Sequence, residues 1–207
     1  MRRIYRYYGM CGTFKATTIQ SLLQSDPRRG YTLPVWSLPK PWKRLEQGIL
    51  KGEIEEKNNL TLAALELCTL EGVLMTAALD PDIEFILAER GVLDNLFYWS
   101  ISKNRTQEEL RTMIEKVRGE EERLEESYGW RETRNTILVM EDEEFIDSVI
   151  LSEPSRREWF PDVKSYLETQ EKYVKFMFKW LEDKLAEHRI INARDYIENK
   201  LKLKYNA

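Results

Sequence analysis

The sequence predicts an α/β fold: a five-stranded, mostly parallel sheet with helices on both faces, built as a single domain over residues 1–207. Three observations carry this reading. Short apolar strand patterns alternate with helical patterns along the whole chain. A glycine-containing loop stands between the first strand and the first helix. Hydrophobic residues make up 42% of the chain, enough for a full core and too many for global disorder.

The elements follow in order. Residues 3–8 read as the first strand, and 9–14 as the loop after it. Ile19, Leu22 and Leu23 stand at helical spacing within 17–24. Ser25-Asp26-Pro27 ends that helix, and Arg28-Arg29-Gly30 makes a turn. Residues 31–35 read as the second strand; Pro34, Pro39 and Pro41 then hold the chain extended, with a short helix over 43–50. Asn58 or Asn59 caps a long helix reaching Leu79. Residues 83–88 form the third strand, and a helix starts at Asp94. Leu110, Ile114, Val117 and Leu124 make a thin apolar stripe on a charged helix over 106–127. Ile137-Leu138-Val139 marks the fourth strand, over 136–140. A loop and helix cover 141–149, and 154–160 reads as irregular. An amphipathic helix over 161–187, a fifth strand over 189–193 and a closing helix over 194–204 complete the chain.

Composition narrows the function classes. No apolar run is long enough to cross a bilayer, and no sustained apolar stretch follows Met1-Arg2-Arg3, so neither membrane association nor a secretory signal is expected. Cys11 and Cys68 are the only cysteines, which suits a reduced, cytoplasmic protein. A single histidine, His188, argues against a histidine-rich metal site. Residues 1–52 carry ten Lys and Arg against Asp26 and Glu46, a balance of +8; the whole chain totals −4, so the remainder carries −12. The basic half suits phosphate, in a nucleotide or a nucleic-acid backbone, or else pairs across the fold with the acidic half.

The loop after the first strand carries the chemistry. Phosphate binding needs inward backbone N–H groups, room for the chain to curl, and a lysine at the start of the next helix. The usual signature is G-x-x-x-x-G-K-[ST]. Here the stretch is Gly9-Met10-Cys11-Gly12-Thr13-Phe14-Lys15-Ala16-Thr17-Thr18. Gly9 and Lys15 keep the spacing, while Gly12 and Thr13 enrich the loop. Phe14 replaces the second glycine, and Ala16 replaces the hydroxyl residue that helps hold Mg²⁺; Thr17 stands one place late. The expected triphosphate contacts are therefore Gly9, Cys11, Gly12, Thr13, Phe14, Lys15, Ala16 and Thr17. A plain glycine turn with an exposed Lys15 is the competing reading.

At this point the sequence resembles the P-loop nucleoside and nucleotide kinases, the group of thymidylate and deoxynucleoside kinases. Ile86-Leu87-Ala88-Glu89-Arg90-Gly91-Val92-Leu93-Asp94 looks like their strand ending in an acidic–arginine pair. The resemblance implies that Arg90 contacts the acceptor or the transferring phosphoryl group. It gives Glu89 to Mg²⁺ or the attacking hydroxyl, with Thr17 as a second metal ligand, and Asp94 to the substrate side. Lys15, Glu89, Arg90 and Asp94 form the implied catalytic set. Glu153-Pro154-Ser155-Arg156-Arg157 falls where such kinases carry an arginine-bearing lid, at about 150–160, so the resemblance gives Arg156 and Arg157 to the triphosphate, the competing reading being a pair of surface charges in a loop. Arg189-Ile190-Ile191-Asn192-Ala193 resembles the family's last strand, with Asn192 or Ala193 bordering the adenine.

One departure concerns the acceptor. These kinases often place an acid after the second strand, before a proline, whereas here Leu33 precedes Pro34. The acceptor-side region, about 28–57, is basic and carries Trp36 and Trp42, a combination suited to stacking on bases. Packing of a proline-rich loop is the alternative fate of both tryptophans. The expectation is an ATP- and Mg²⁺-dependent kinase acting on a nucleotide-type acceptor, including a hydroxymethylated pyrimidine in DNA, as in the related bacteriophage kinases. A non-catalytic nucleotide-binding protein and an interaction protein on a degenerate kinase fold are the alternatives.

Overall fold

The computed structural model describes residues 2–25, 30–33, 57–102, 106–181 and 186–195. Within them, β1 (Arg2–Tyr8), β2 (Gly30–Leu33), β3 (Phe85–Glu89), β4 (Trp130–Val139) and β5 (Glu187–Asn192) form one five-stranded sheet, in the order β2-β3-β1-β4-β5. All four pairings are parallel. Helices α1 (Lys15–Ser25), α2 (Lys57–Leu79), α3 (Val92–Ser102), α4 (Gln107–Ser127) and α5 (Val163–Leu181) fill the crossovers. Trp36, Trp42, the helix expected over 43–50 and most of the closing helix lie outside the described residues.

Strand β3 shows why both faces are covered. Its side chains alternate between two apolar clusters. Phe85 and Leu87 join Tyr7, Ile19, Tyr173 and Met177, which come from β1, α1 and α5. Ile86 and Ala88 join Leu70, Leu74 and Ala77 of α2 and Leu124 of α4. A Thr106–Glu109 capping box starts α4.

Several boundaries differ from the sequence expectation, each for a physical reason. Helix α1 starts at Lys15, because Thr18 N already donates to Phe14 O at 2.9 Å. Strand β4 reaches back to Trp130 although Arg131–Asn135 reads as polar. There Glu132 and Asn135 are buried, and Arg6 from the middle of β1 supplies the partner for Glu132 at 2.6 Å. The same guanidinium reaches Glu121 at 2.9 Å and Glu125 at 2.5 Å on α4. This buried pairing draws one cation of the basic half against the acidic half. Residues 154–160 are not wholly irregular: Pro154 opens a one-turn helix to Arg157. Glu187 belongs to β5 rather than to the preceding helix. After β4, a helical turn at Glu143–Phe145 runs into a π-turn at Ile146–Ile150. No helix among the described residues is long and apolar enough to cross a membrane.

Candidate phosphate-binding site

Parallel pairing brings the C-terminal ends of β1 and β3 together, with Tyr7 opposite Glu89. The Gly9 loop and the Glu89-Arg90 turn therefore leave the sheet at the same edge, the edge at which open α/β sheets bind ligands. Arg90 N donates to Tyr7 O at 2.8 Å, extending the ladder by one bond while Arg90 itself takes φ +68°.

Glycine is required at two points of the loop. Gly9 has φ +149° and Gly12 φ +83°. A Cβ on Gly9 would stand 2.7 Å from the Leu138 carbonyl oxygen, and one on Gly12 would stand 2.6 Å from the Ile150 side chain. Phe14, at the usual second-glycine position, takes φ +53°. That conformation costs a non-glycine residue about 1–2 kcal/mol. Contact with Phe145, at a ring separation of 5.3 Å, offsets part of this.

Lys15 is buried, not exposed. Its Nζ donates to Gly9 O and Met10 O, both at 2.7 Å, and to Thr13 Oγ1 at 3.3 Å. Three acceptors match the three N–H bonds of an ammonium. Burial, helped by the Arg90 charge, pushes the Lys15 pKa down to about 7 against the pull of Asp94 and Glu89.

A cavity of about 360 Å³ opens beside this lysine. The loop contributes Cys11, Gly12, Phe14, Lys15, Ala16 and Thr17 to its wall; β3 and its turn contribute Glu89 and Arg90; the segment after β4 contributes Phe145, Val149, Ile150 and Arg156. Three cationic side chains thus share one concave space. Burial works against the Arg90 cation, but Asp94, Tyr98, Tyr173 and Glu89 keep its pKa above the ordinary arginine value. The two arginines of the one-turn helix, Arg156 and Arg157, part company. Arg156 lines the cavity and pairs with Glu153 at 2.8 Å. Arg157 is absent from that wall; it donates to Leu151 O at 2.6 Å and meets Asp147 at 3.0 Å.

Gly9, Thr13 and Asp94 also stand behind the cavity wall. Thr13 Oγ1 donates to Met10 O at 2.9 Å, tightening the loop from within. Asp94 is buried near the start of α3, and burial raises its pKa against the opposing effects of Arg90, Tyr173 and Lys15. Trp36 and Trp42 cannot be placed against the site, being outside the described residues.

Tyr166 and Tyr173 of α5 are buried in the core, and their polar ends, which helix periodicity alone does not show, reach the loop. Tyr166 donates to Cys11 O at 2.8 Å, and Tyr173 accepts from Gly9 N at 2.9 Å. Between them, Gln170 accepts from Met140 N at 2.8 Å and donates to Met140 O at 2.9 Å. The available signal was three polar-tipped residues at i, i+4 and i+7 on one helix face.

No family model and no curated protein matches the chain. Solved structures do. Deoxyadenosine kinase from M. mycoides with bound dATP superposes with a TM-score of 0.59 and 16% identity, covering 99% of this chain and 97% of that one. The same kinase with dCMP and dCDP, and with dCTP, gives 0.58 at 14% identity and equal coverage. This chain has the P-loop deoxynucleoside-kinase fold. At that identity the likeness is one of fold.

Proposed function

We propose that the protein is an ATP-dependent kinase that transfers the γ-phosphoryl group to a hydroxyl or phosphate of a nucleotide-type acceptor. The observation that carries this reading is the single cavity lined by Lys15, Arg90 and Arg156 together with Thr17 and Glu89. Phosphoryl transfer asks for positioning and charge neutralisation, and this wall supplies both. An acceptor oxygen attacks the γ-phosphorus, the bond to the bridging β-phosphate oxygen breaks, and ADP leaves. For a hydroxyl acceptor, Glu89 takes the proton. Lys15 exchanges its loop carbonyls for phosphate oxygens, and Arg90 and Arg156 neutralise the equatorial charge. Thr17, and Glu89 where it is not the base, offer hard oxygen donors on the wall, a set that fits Mg²⁺; they would hold the ion, which would supply charge neutralisation at the phosphates.

The finer acceptor assignment is a hydroxymethylated pyrimidine in DNA. The basic region of about 28–57, with Trp36 and Trp42, and the absence of an acid before Pro34 support it. Ala16, on the cavity wall without a hydroxyl, favours a second reading: nucleotide binding without transfer. One experiment separates them. ATP labelled at the γ-phosphate is offered with deoxynucleosides, deoxynucleoside monophosphates and hydroxymethyluracil-containing DNA. Label moving to one acceptor class establishes the kinase and its substrate. ATP binding with no transfer to any class supports the second reading. Absence of ATP binding removes both and leaves an interaction protein on the kinase fold.

A further inference from the structure

Tyr173 joins the two halves of the site through one oxygen. Its hydroxyl accepts from Gly9 N at 2.9 Å and lies 2.6 Å from Asp94 Oδ1. The Gly9 amide can only donate, so the single phenolic proton goes to Asp94. All three residues are buried, and Asp94 Oδ2 meets no donor among the described residues. The loop glycine is also engaged on its other side, where Gly9 O accepts from Lys15 Nζ. A change in charge or position at Asp94 therefore reaches the first glycine of the phosphate loop in two hydrogen bonds. In a buried chain of this kind the bonds polarise one another, so an ionised Asp94 makes the Tyr173 oxygen the stronger acceptor for Gly9.

We propose that Tyr173 is a positioning residue that couples the nucleotide-phosphate loop to the buried acid at the start of α3, so that the Asp94 side and the Gly9 loop respond to ligand together. This inference rests on the kinase reading above. The geometry gives it a specific form. Lys15 must release the Gly9 carbonyl to reach a phosphate, and at that moment the Tyr173 hydroxyl is what holds the Gly9 amide in register. The ring itself packs edge-on against Phe97 at 5.0 Å, a contact that phenylalanine would preserve. Tyr173→Phe thus removes the hydroxyl and leaves the packing.

The test is a double-mutant cycle on Tyr173→Phe and Asp94→Asn, read in two ways. Calorimetric titration with ATP and Mg²⁺ is expected to show roughly tenfold weaker binding in Tyr173→Phe. Adding Asp94→Asn to that variant is expected to change binding by less than it does in wild type, because the Tyr173 connection is cut and only the direct effect of the Asp94 charge on Lys15 and Arg90 remains. The second readout is the Gly9 amide resonance, which needs no nucleotide. Asp94→Asn is expected to move it markedly further in the wild-type background than in the Tyr173→Phe background. A purely structural role for Tyr173 would change stability without producing that pattern. If wild type binds ATP and Tyr173→Phe binds it equally, or the two substitutions act independently in both readouts, the coupling is overturned and the kinase reading stands. If wild type binds no ATP, the kinase reading falls and takes this role of Tyr173 with it.

Discussion

Lys15 Nζ lies 2.7 Å from the carbonyl oxygen of Gly9, so the lysine that opens α1 is bound to its own loop. On the proposed kinase reading, nucleotide binding breaks this contact and places the ammonium on a phosphate. The Lys15 pKa of about 7 in the free protein gives a proton signature. A bound phosphate favours the charged form, so above pH 7 each nucleotide takes up close to one proton, and affinity falls as pH rises through 7. Calorimetry at pH 8 in buffers of different ionisation enthalpy measures that uptake. Zero uptake would contradict the assignment of Lys15 to phosphate.

Arg156 and Arg157 separate by position. Arg156 lines the cavity, whereas Arg157 is spent on Leu151 O and Asp147. Arg156→Ala is expected to lower turnover roughly 10²-fold, as for loss of one transition-state donor. Arg157→Ala, which removes an exposed pair, should stay within about threefold. Steady-state kinetics on the acceptor identified by the label-transfer panel decides between them.

Gly12 tests the loop geometry. Gly12→Ala adds a Cβ that meets Ile150 and places it at φ +83°. The backbone term alone is about 1–2 kcal/mol, which for a chain of this size lowers Tm by roughly 2–8 °C. Thermal denaturation that shows no loss would mean that the loop does not hold this conformation.

The Arg6 cluster sets a pH dependence of stability. Burial raises the Glu121 carboxyl, and burial pushes Glu125 up to about 8 despite Arg6. A raised carboxyl pKa means that the folded state holds the proton longer than the unfolded chain. Its stabilising contribution is full below about pH 4.5 and is lost as pH rises towards 8. Glu125→Gln is neutral at every pH, so it should flatten the fall in Tm between pH 5 and 8. Arg6→Met removes the cation shared by Glu121, Glu125 and Glu132 and is expected to cost about 3–5 kcal/mol, read by denaturant unfolding.

Much of the fold was legible because its signals are local. Alternation of strand and helix, the glycines of the loop and the placement of Lys15 all follow from neighbouring residues. The start of β4 was not legible, since Glu132 and Asn135 read as exposed until Arg6, 126 residues from Glu132, is brought against them. Tyr173 was missed for the same reason: its partner Gly9 is 164 residues away, and a tyrosine on an apolar helix face looks like core. Phe14 read as a defect in the loop; the structure gives it the left-handed conformation that glycine usually supplies there. Arg156 and Arg157 look equivalent in sequence, and only the turn between Pro154 and Arg157 separates their directions.

Titration calorimetry of ATP with Mg²⁺ into wild type and Lys15→Met tests the central claim most directly. Methionine fills the space of the buried lysine stem without its charge, but it leaves Gly9 O without its donor, a loss of about 1–3 kcal/mol, so thermal denaturation is run beside the titration to establish that the variant is folded. Wild type is expected to show one saturable site, and the variant to lose it. Equal binding by both proteins, or none by the wild type, would contradict a phosphate site at Lys15.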